Sequence, residues 1–370
     1  MSGVRDATDR LGPVFGLVEG FVRGGAVRGA ALAAAVGDEI VGEGYWGEAA
    51  PGQPAVPGTL WPLASISKLY TAAAVMALVE QGVLTLSTSV RSVLPAFDGD
   101  GREQVTLRHL LTHTSGLIYE SPEMEAVLRR HTALEQIVDE AYTYPLAFAP
   151  GTRFSYSDYG IAIAGRMASV ASGVPFPKLV RRLVLEPGDL RDTFMPPPVA
   201  EYSRLAHVVG PLAEGTDAAM YNSPYALELA HPAFGTVASA RDLLRFGLLF
   251  APAGEQRILS EATVRTMTTD QTGGGVVGTV VGLDAEVIRP WGLGFIIRGH
   301  GPQLGPGELT SPGAFGHAGA SGCTLVVDPA QDVALAYVSN QHARTDPERW
   351  RLRLDAVANA AVAALTRRAG

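Results

Sequence analysis

The chain has 370 residues, 47% of them hydrophobic and 18% charged, with a formal net charge of −8 and an isoelectric point near 5.5. Such a length and hydrophobic share support a large buried core, in two domains or in one domain with a long insertion. The acidic balance and the lack of any basic run exclude a surface built to neutralise nucleic-acid phosphates or anionic lipid, and make small molecules the expected partners.

Residues 1–10, M-S-G-V-R-D-A-T-D-R, lack the basic start and continuous apolar run of a secretory signal. No uncharged apolar segment reaches membrane-spanning length, so a cytoplasmic protein with no membrane contact is expected. Leu11, Val14, Phe15, Val18, Phe21 and Val22 recur at helical spacing and predict an amphipathic helix. Two short apolar runs around Gly37-Asp38 predict a β-hairpin. In W-P-L-A-S-I-S-K-L-Y-T-A-A-A-V-M-A-L-V-E-Q-G, residues 61–82, the stretch from Leu69 to Val79 is nearly all apolar, which predicts a helix buried on every side.

From about 84 to 234 the pattern is helices and loops punctuated by proline and glycine. The P-P-P at 196–198 and the glycine-rich 273–282 read as loops or a strand edge. Residues 324–340, T-L-V-V-D-P-A-Q-D-V-A-L-A-Y-V-S-N, repeat the hairpin pattern with Pro329 in the turn. A last helix is predicted from about Pro347 to Arg368, carrying Trp350, Leu352, Leu354, Val357, Ala361 and Leu365. The expected fold is therefore α+β: an antiparallel sheet built from both chain ends with flanking helices, plus an inserted mainly helical domain. The expected division is 1–83 with 235–370 as the sheet domain and 84–234 as the helical domain, with the active site between them.

The single cysteine, Cys323, excludes a disulfide framework and a cysteine-based metal cluster, and reads as a small buried residue in a strand. His109 and His113 sit four apart, but a zinc site needs a third ligand and usually a glutamate beside the first histidine, where this chain has Leu110. No metal and no cofactor are expected.

Of 29 basic residues only Lys68 and Lys178 are lysines. An arginine-biased genome accounts for the ratio but not for a lysine in a buried helix. Arginine cannot give up its proton in a protein, whereas a desolvated lysine can have its pKa lowered, so Lys68 is a candidate base. Ser65 lies three residues earlier on the same helical face, while Ser67 points elsewhere. Free N–H groups at the helix start also favour negative charge developing at Ser65. Alternatively, Ser65 is an ordinary N-cap and Lys68 snorkels to solvent.

The S-x-x-K at 65–68, Y-S-D at 156–158 within G-T-R-F-S-Y-S-D-Y-G, and H-A-G at 317–319 within F-G-H-A-G-A-S-G occur in that order. With T-L-R-H-L-L-T-H-T-S-G-L at 106–117, G-T-V-A-S-A-R-D-L-L-R-F at 235–246 and W-G-L-G-F at 291–295, the chain resembles the serine β-lactamase and penicillin-binding-protein superfamily. It looks most like the branch of class C β-lactamases, esterases, D-aminopeptidases and acyltransferases.

The resemblance implies that Ser65 is acylated, that Lys68 helps deprotonate it, and that Tyr156 acts as a second base or as the acid for the leaving group. A nearby ammonium would favour the Tyr156 phenolate; alone, Tyr156 could equally be a buried aromatic. His317 stands where lactamases and peptidases carry the lysine of K-T-G. The strand edge through Gly319 would let the Ala320 and Ser65 N–H groups form an oxyanion hole. Asp158 departs from the usual Y-x-N pattern: facing Lys68, it would raise the lysine's pKa and leave more of the proton transfer to Tyr156. The departure at 186–193, E-P-G-D-L-R-D-T, is expected to be a loop variation.

These features predict a serine hydrolase of small carboxylic esters working through an acyl-Ser65 intermediate. Amidase, D-aminopeptidase and acyltransferase activities are the near alternatives. The absent export signal and His317 disfavour β-lactamase or DD-peptidase function. From a different class, the chain could be a catalytically silent ligand-binding relative, against which stands the joint presence of Ser65, Lys68 and Tyr156. The expected partner is a small ester or amide, with homo-oligomerisation left open.

Overall fold

The computed structural model describes residues 9–210, 221–252, 254, 256–273, 277–279, 287–288, 290–301 and 307–367. Both chain ends enter one seven-stranded sheet. From the start come β1 (Gly29–Val36), β2 (Glu39–Ala50) and β3 (Gln53–Pro54); from the end come β10 (Ile296–Ile297), β11 (Phe315–Gly319), β12 (Cys323–Asp328) and β13 (Val333–Ser339). Their order is β10-β11-β12-β13-β1-β2-β3, and all the pairings are antiparallel. The ends meet where β1 pairs with β13, Ala30 opposite Ser339 through Val36 opposite Val333.

Alternation along the strands sends side chains to two covered faces. On one face Leu32, Val326, Leu335 and Tyr337 pack against α1 (Gly12–Arg23) and α5 (Pro347–Thr366), through Val14, Val18, Leu354, Val357, Ala361 and Leu365. On the other face Ala31, Ala33, Leu325, Val327 and Ala336 join the core that contains α2 (Ser67–Glu80), α3 (Asp158–Ser172) and α4 (Ala240–Leu248). Strand β1 is buried on both faces, which explains its run of alanines where one-sided alternation would otherwise show. Every residue of α2 from Ser67 to Leu78 is buried, as its nearly unbroken apolar sequence predicts. Leu352 differs from expectation: it is exposed on the solvent side of α5, which ends at Thr366.

The middle of the chain is mainly helical but also carries β5 (Phe154–Ser155) and β6 (Thr193–Phe194). Strand β6 pairs with β7 (Val237–Ala238), which also pairs with β4 (Trp61–Pro62), so a three-stranded ribbon joins the middle of the chain to the segment leading into α2. The glycine-rich 273–282 lies largely outside the described residues; its described part includes Val277–Thr279, a strand that runs parallel to β5.

One close approach places the sheet edge against the segment carrying Ser65. A Cβ built on Gly319, the last residue of β11, would lie 2.3 Å from the Leu63 carbonyl oxygen and 3.5 Å from Ala64 Cβ. Only glycine lets the two backbones touch there. Gly319→Ala is therefore expected to destabilise the fold by about 1–3 kcal/mol through overpacking against backbone. Urea unfolding checks this: the midpoint should fall while the slope stays constant, and an unchanged midpoint would show that the contact is not tight.

Candidate active site

Ser65 sits in a single 3-10 turn, Ala64–Ile66, that runs directly into α2. Ala64, just before it, is held at φ 47°, a left-handed conformation that costs a non-glycine residue roughly 1–2 kcal/mol. The turn is tethered on two sides. The Leu63 N–H donates to the Thr236 carbonyl at 2.9 Å, and the Thr236 N–H donates to Ser67 Oγ at 2.9 Å. Ser67 thus bonds the backbone of the 231–236 loop, while Ser65 meets Lys68.

Lys68 is fully buried, and its ammonium has three oxygen neighbours within 3.1 Å. Nζ lies 2.7 Å from Asp158 Oδ1, 3.0 Å from Ser65 Oγ and 3.1 Å from the Ala233 carbonyl. It also stands 4.7 Å from the centre of the Tyr156 ring. Burial by itself drives an ammonium toward its neutral form, but Asp158 and the Tyr156 oxygen outweigh it, and the pKa of Lys68 moves upward. The expectation of a lysine tuned downward into a free base is corrected by this neighbour: Lys68 is held as an ammonium.

Asp158 opens α3, where the helix dipole favours a carboxylate. Its N–H donates to the Tyr119 carbonyl at 2.7 Å. Ser157, the cap of α3, accepts from the Gly160 N–H at 3.0 Å and donates to the Ile118 carbonyl at 2.6 Å. Burial raises the pKa of Asp158 while Lys68 opposes the rise.

The Tyr156 hydroxyl is within hydrogen-bonding reach of Lys68 and Ser65. Burial raises the phenol, Lys68 lowers it, Asp158 raises it, and the net direction is upward. Desolvation wins over the help expected from the ammonium, and Tyr156 rests as a neutral phenol, open to either the base or the acid role.

His317 lies on β11 opposite Leu325 of β12. Its ring centre is 6.1 Å from that of Tyr156 and 5.7 Å from that of Trp291. Its Nδ1–H donates to the Ala318 carbonyl at 2.7 Å, which assigns the neutral-ring proton to Nδ1. Gly319 rests on Leu63, and Ala320 follows in the turn, its carbonyl accepting from the Ala343 N–H at 2.7 Å. The structure thus gathers Ser65, Lys68, Tyr156, Asp158 and His317 around one point, with Gly319 against the Leu63–Ala64 backbone beside Ser65.

Several members of the site left little trace in the sequence. The Ala233 carbonyl is invisible to residue type, because every residue carries one. Trp291, from W-G-L-G-F, packs beside Tyr156 with ring centres 5.8 Å apart. His109 and His113 serve the backbone rather than each other: His109 Nδ1 accepts from the Thr106 N–H at 3.2 Å, and His113 Nδ1 accepts from the Ser157 N–H at 3.1 Å. Among the described residues no group of three or more histidine, cysteine or carboxylate side chains is placed to hold a metal. Cys323 is buried in β12, as its surroundings predict. The 186–193 stretch borders a groove of about 810 Å³ with Lys178, Phe194 and Pro197, and that groove shares no residue with the cluster.

Glu120 is the remaining charged neighbour. It is largely buried and lies 3.4 Å from Arg344, a half-exposed residue in the turn Ala343–Thr345. Burial and the charge of Asp158 push its carboxyl up to about 7, against the opposing pull of Arg344 and Lys68.

Fold and cluster together define a serine hydrolase with a β-lactamase and penicillin-binding-protein fold. The chain belongs to the family described as Beta-lactamase, whose model matches residues 14–358. It is 30% identical over 322 residues to the esterase EstB of Burkholderia gladioli, covering 78% of this chain and 79% of EstB. It is 28% identical over 310 residues to a β-lactamase of Pseudomonas fluorescens, covering 78% and 82%. A solved structure of a penicillin-binding-protein homologue from Caulobacter crescentus superposes with a TM-score of 0.76 at 25% identity, covering 95% of this chain and 98% of that one. No helix among the described residues is long and apolar enough to cross a membrane.

Two stability experiments follow from the charges. Lys68→Met should cost about 3–5 kcal/mol near pH 8, because it leaves Asp158 buried without its cation, and adding Asp158→Asn should recover a large part. Urea unfolding of the single and double variants tests this; a double variant no more stable than Lys68→Met would contradict it. For Glu120, the folded state keeps a proton that the unfolded chain releases near 4.5, so stability falls as pH rises from 4.5 through about 7. Glu120→Gln should therefore gain on the parent across that window, by no more than about 3 kcal/mol, and match it below pH 4. Thermal unfolding against pH reads the difference, and parallel curves would refute the assignment.

Proposed function

We propose that the protein hydrolyses small carboxylic esters through an acyl-Ser65 intermediate, in a cleft between the sheet region (1–83 and 235–370) and the helical insertion (84–234). The observation that carries the proposal is the hydrogen bond between Lys68 Nζ and Ser65 Oγ, with Lys68 itself anchored to Asp158. It orients the serine hydroxyl while the tyrosine hydroxyl stands within reach of the same oxygen.

In this reading Ser65 Oγ attacks the ester carbonyl carbon. The new oxyanion is received by the N–H groups of Ser65 and Ala320. A neutral Tyr156 relays a proton: its oxygen takes the Ser65 proton as its own passes to the departing alkoxide, so no free phenolate is needed. Lys68 stays an ammonium throughout and stabilises the negative charge that develops on both oxygens. Water, relayed through the same phenol, then attacks the acyl carbonyl and releases Ser65. His317, a weaker base in place of a lysine, offers a substrate carboxylate less attraction, which favours uncharged esters over penicillin-like acids. The similarity to EstB supports the same choice.

The wild-type protein should take up one fluorophosphonate adduct by mass, lost in Ser65→Ala, and should turn over p-nitrophenyl acyl esters faster than D-amino-acid amides or nitrocefin. Unlabelled wild-type protein would end the hydrolase reading and favour a silent ligand-binding relative. Faster amide turnover would move the assignment to an amidase, and product diverted to an added alcohol or amine would move it to an acyltransferase. Asp158 raises both Lys68 and Tyr156. Asp158→Asn should therefore shift the alkaline limb of kcat/KM to lower pH, by about one unit or more; limbs that stay in place would remove Asp158 from the ionising set.

A further inference from the structure

His113 is fully buried and holds φ 55°, in the left-handed region where Asn, Asp and His are the non-glycine residues most often found. From that position it touches the chain on both sides of Tyr156. Its carbonyl accepts the Ser155 N–H at 2.8 Å, and its Nδ1 accepts the Ser157 N–H at 3.1 Å. Between those two bonds its ring lies against the Tyr156 ring, centres 4.5 Å apart, and Trp291 meets the same imidazole edge-on at 4.9 Å.

We propose that His113 is the positioning residue for Tyr156, a clamp whose carbonyl and imidazole fix the amides before and after the tyrosine while its ring sets the plane of the phenol. The proposal rests on the role given to Tyr156 above.

The chemistry of the ring suits the task. An imidazole that accepts at Nδ1 carries its proton at Nε2 when neutral. Burial, Lys68 and His317 all lower the pKa of His113 well below its usual value, so the neutral tautomer persists. Protonation would replace the Nδ1 lone pair with a second donor, facing the Ser157 N–H, and would break the clamp. The left-handed backbone does the other half of the work, since it turns the carbonyl of His113 to Ser155 while the side chain reaches Ser157. Ser157 also caps α3 and precedes Asp158, so one residue settles the approach of both Tyr156 and Asp158 to Lys68.

The geometry selects the test. Asparagine tolerates the same φ, and its Oδ1 falls where Nδ1 lies, so His113→Asn keeps both bonds. His113→Phe keeps a ring but loses the acceptor, and His113→Gly loses both without backbone strain should the phenylalanine variant not fold. A displaced catalytic group costs on the order of 100-fold in rate. We expect His113→Phe and His113→Gly to lose about that much in kcat with KM little changed, and His113→Asn to lose no more than about tenfold. Amide hydrogen exchange over residues 154–158 should quicken in the first two variants and stay near wild type in the third. Equal losses in Asn and Phe, a wild-type kcat in Phe, or unchanged exchange at 154–158 would each overturn the clamp. If wild-type Ser65 resists the fluorophosphonate, the hydrolase reading fails by itself, and the exchange measurement still decides whether His113 holds the tyrosine.

Discussion

The buried ion pair between Lys68 and Asp158 is the constraint on which the rest of the site depends. A lone ammonium at full burial would lose its proton or pull the helix apart, because desolvating a charge costs several kcal/mol even after relaxation. Here the 2.7 Å contact with Asp158, the Ser65 hydroxyl and the Ala233 carbonyl stand in for the lost water. Each acceptor comes from a different part of the chain. The pair therefore joins the start of α2, the start of α3 and the 231–236 loop at one nitrogen, and it settles the charge of the cluster as well as its shape.

Around that nitrogen the backbone is shaped rather than relaxed. Ala64 and His113 both take positive φ, one beside Ser65 and the other beside the tyrosine loop. The 231–236 loop presents its carbonyl through a local device: His231 Nδ1 accepts the Ala233 N–H at 3.1 Å, and the Thr71 hydroxyl donates to the Pro232 carbonyl at 2.6 Å. Strained conformations persist only where packing over-determines them, and here the buried faces of α2 and the sheet supply that packing.

The electrostatic consequence concerns which group can move a proton. Asp158 holds Lys68 charged, and burial holds Tyr156 neutral. In the proposed mechanism a charged lysine is not the base, and the phenol serves as the mobile donor and acceptor. The proposed assignment follows from the Asp158 carboxylate, which stands where the pattern of the resembled family has an amide. One atom's change in a side chain thereby alters the division of labour without altering the layout.

The sequence by itself determined the terminal helices, the two hairpins, the buried α2 and the spacing that puts Ser65 and Lys68 on one face. Those features depend on periods of 2 and 3.6 residues and on turn chemistry, which are local. The order of S-x-x-K, Y-S-D and H-A-G also disclosed the family. Only the tertiary structure decided the protonation of Lys68 and Tyr156, because a pKa reflects the balance of burial against charges brought close from positions about 90 residues apart, and composition contains neither distance nor depth. The Ala233 carbonyl, the Glu120–Arg344 pair and the grip of His113 on either side of Tyr156 belong to the same class. Each is a contact between backbone or side-chain atoms that no local period encodes.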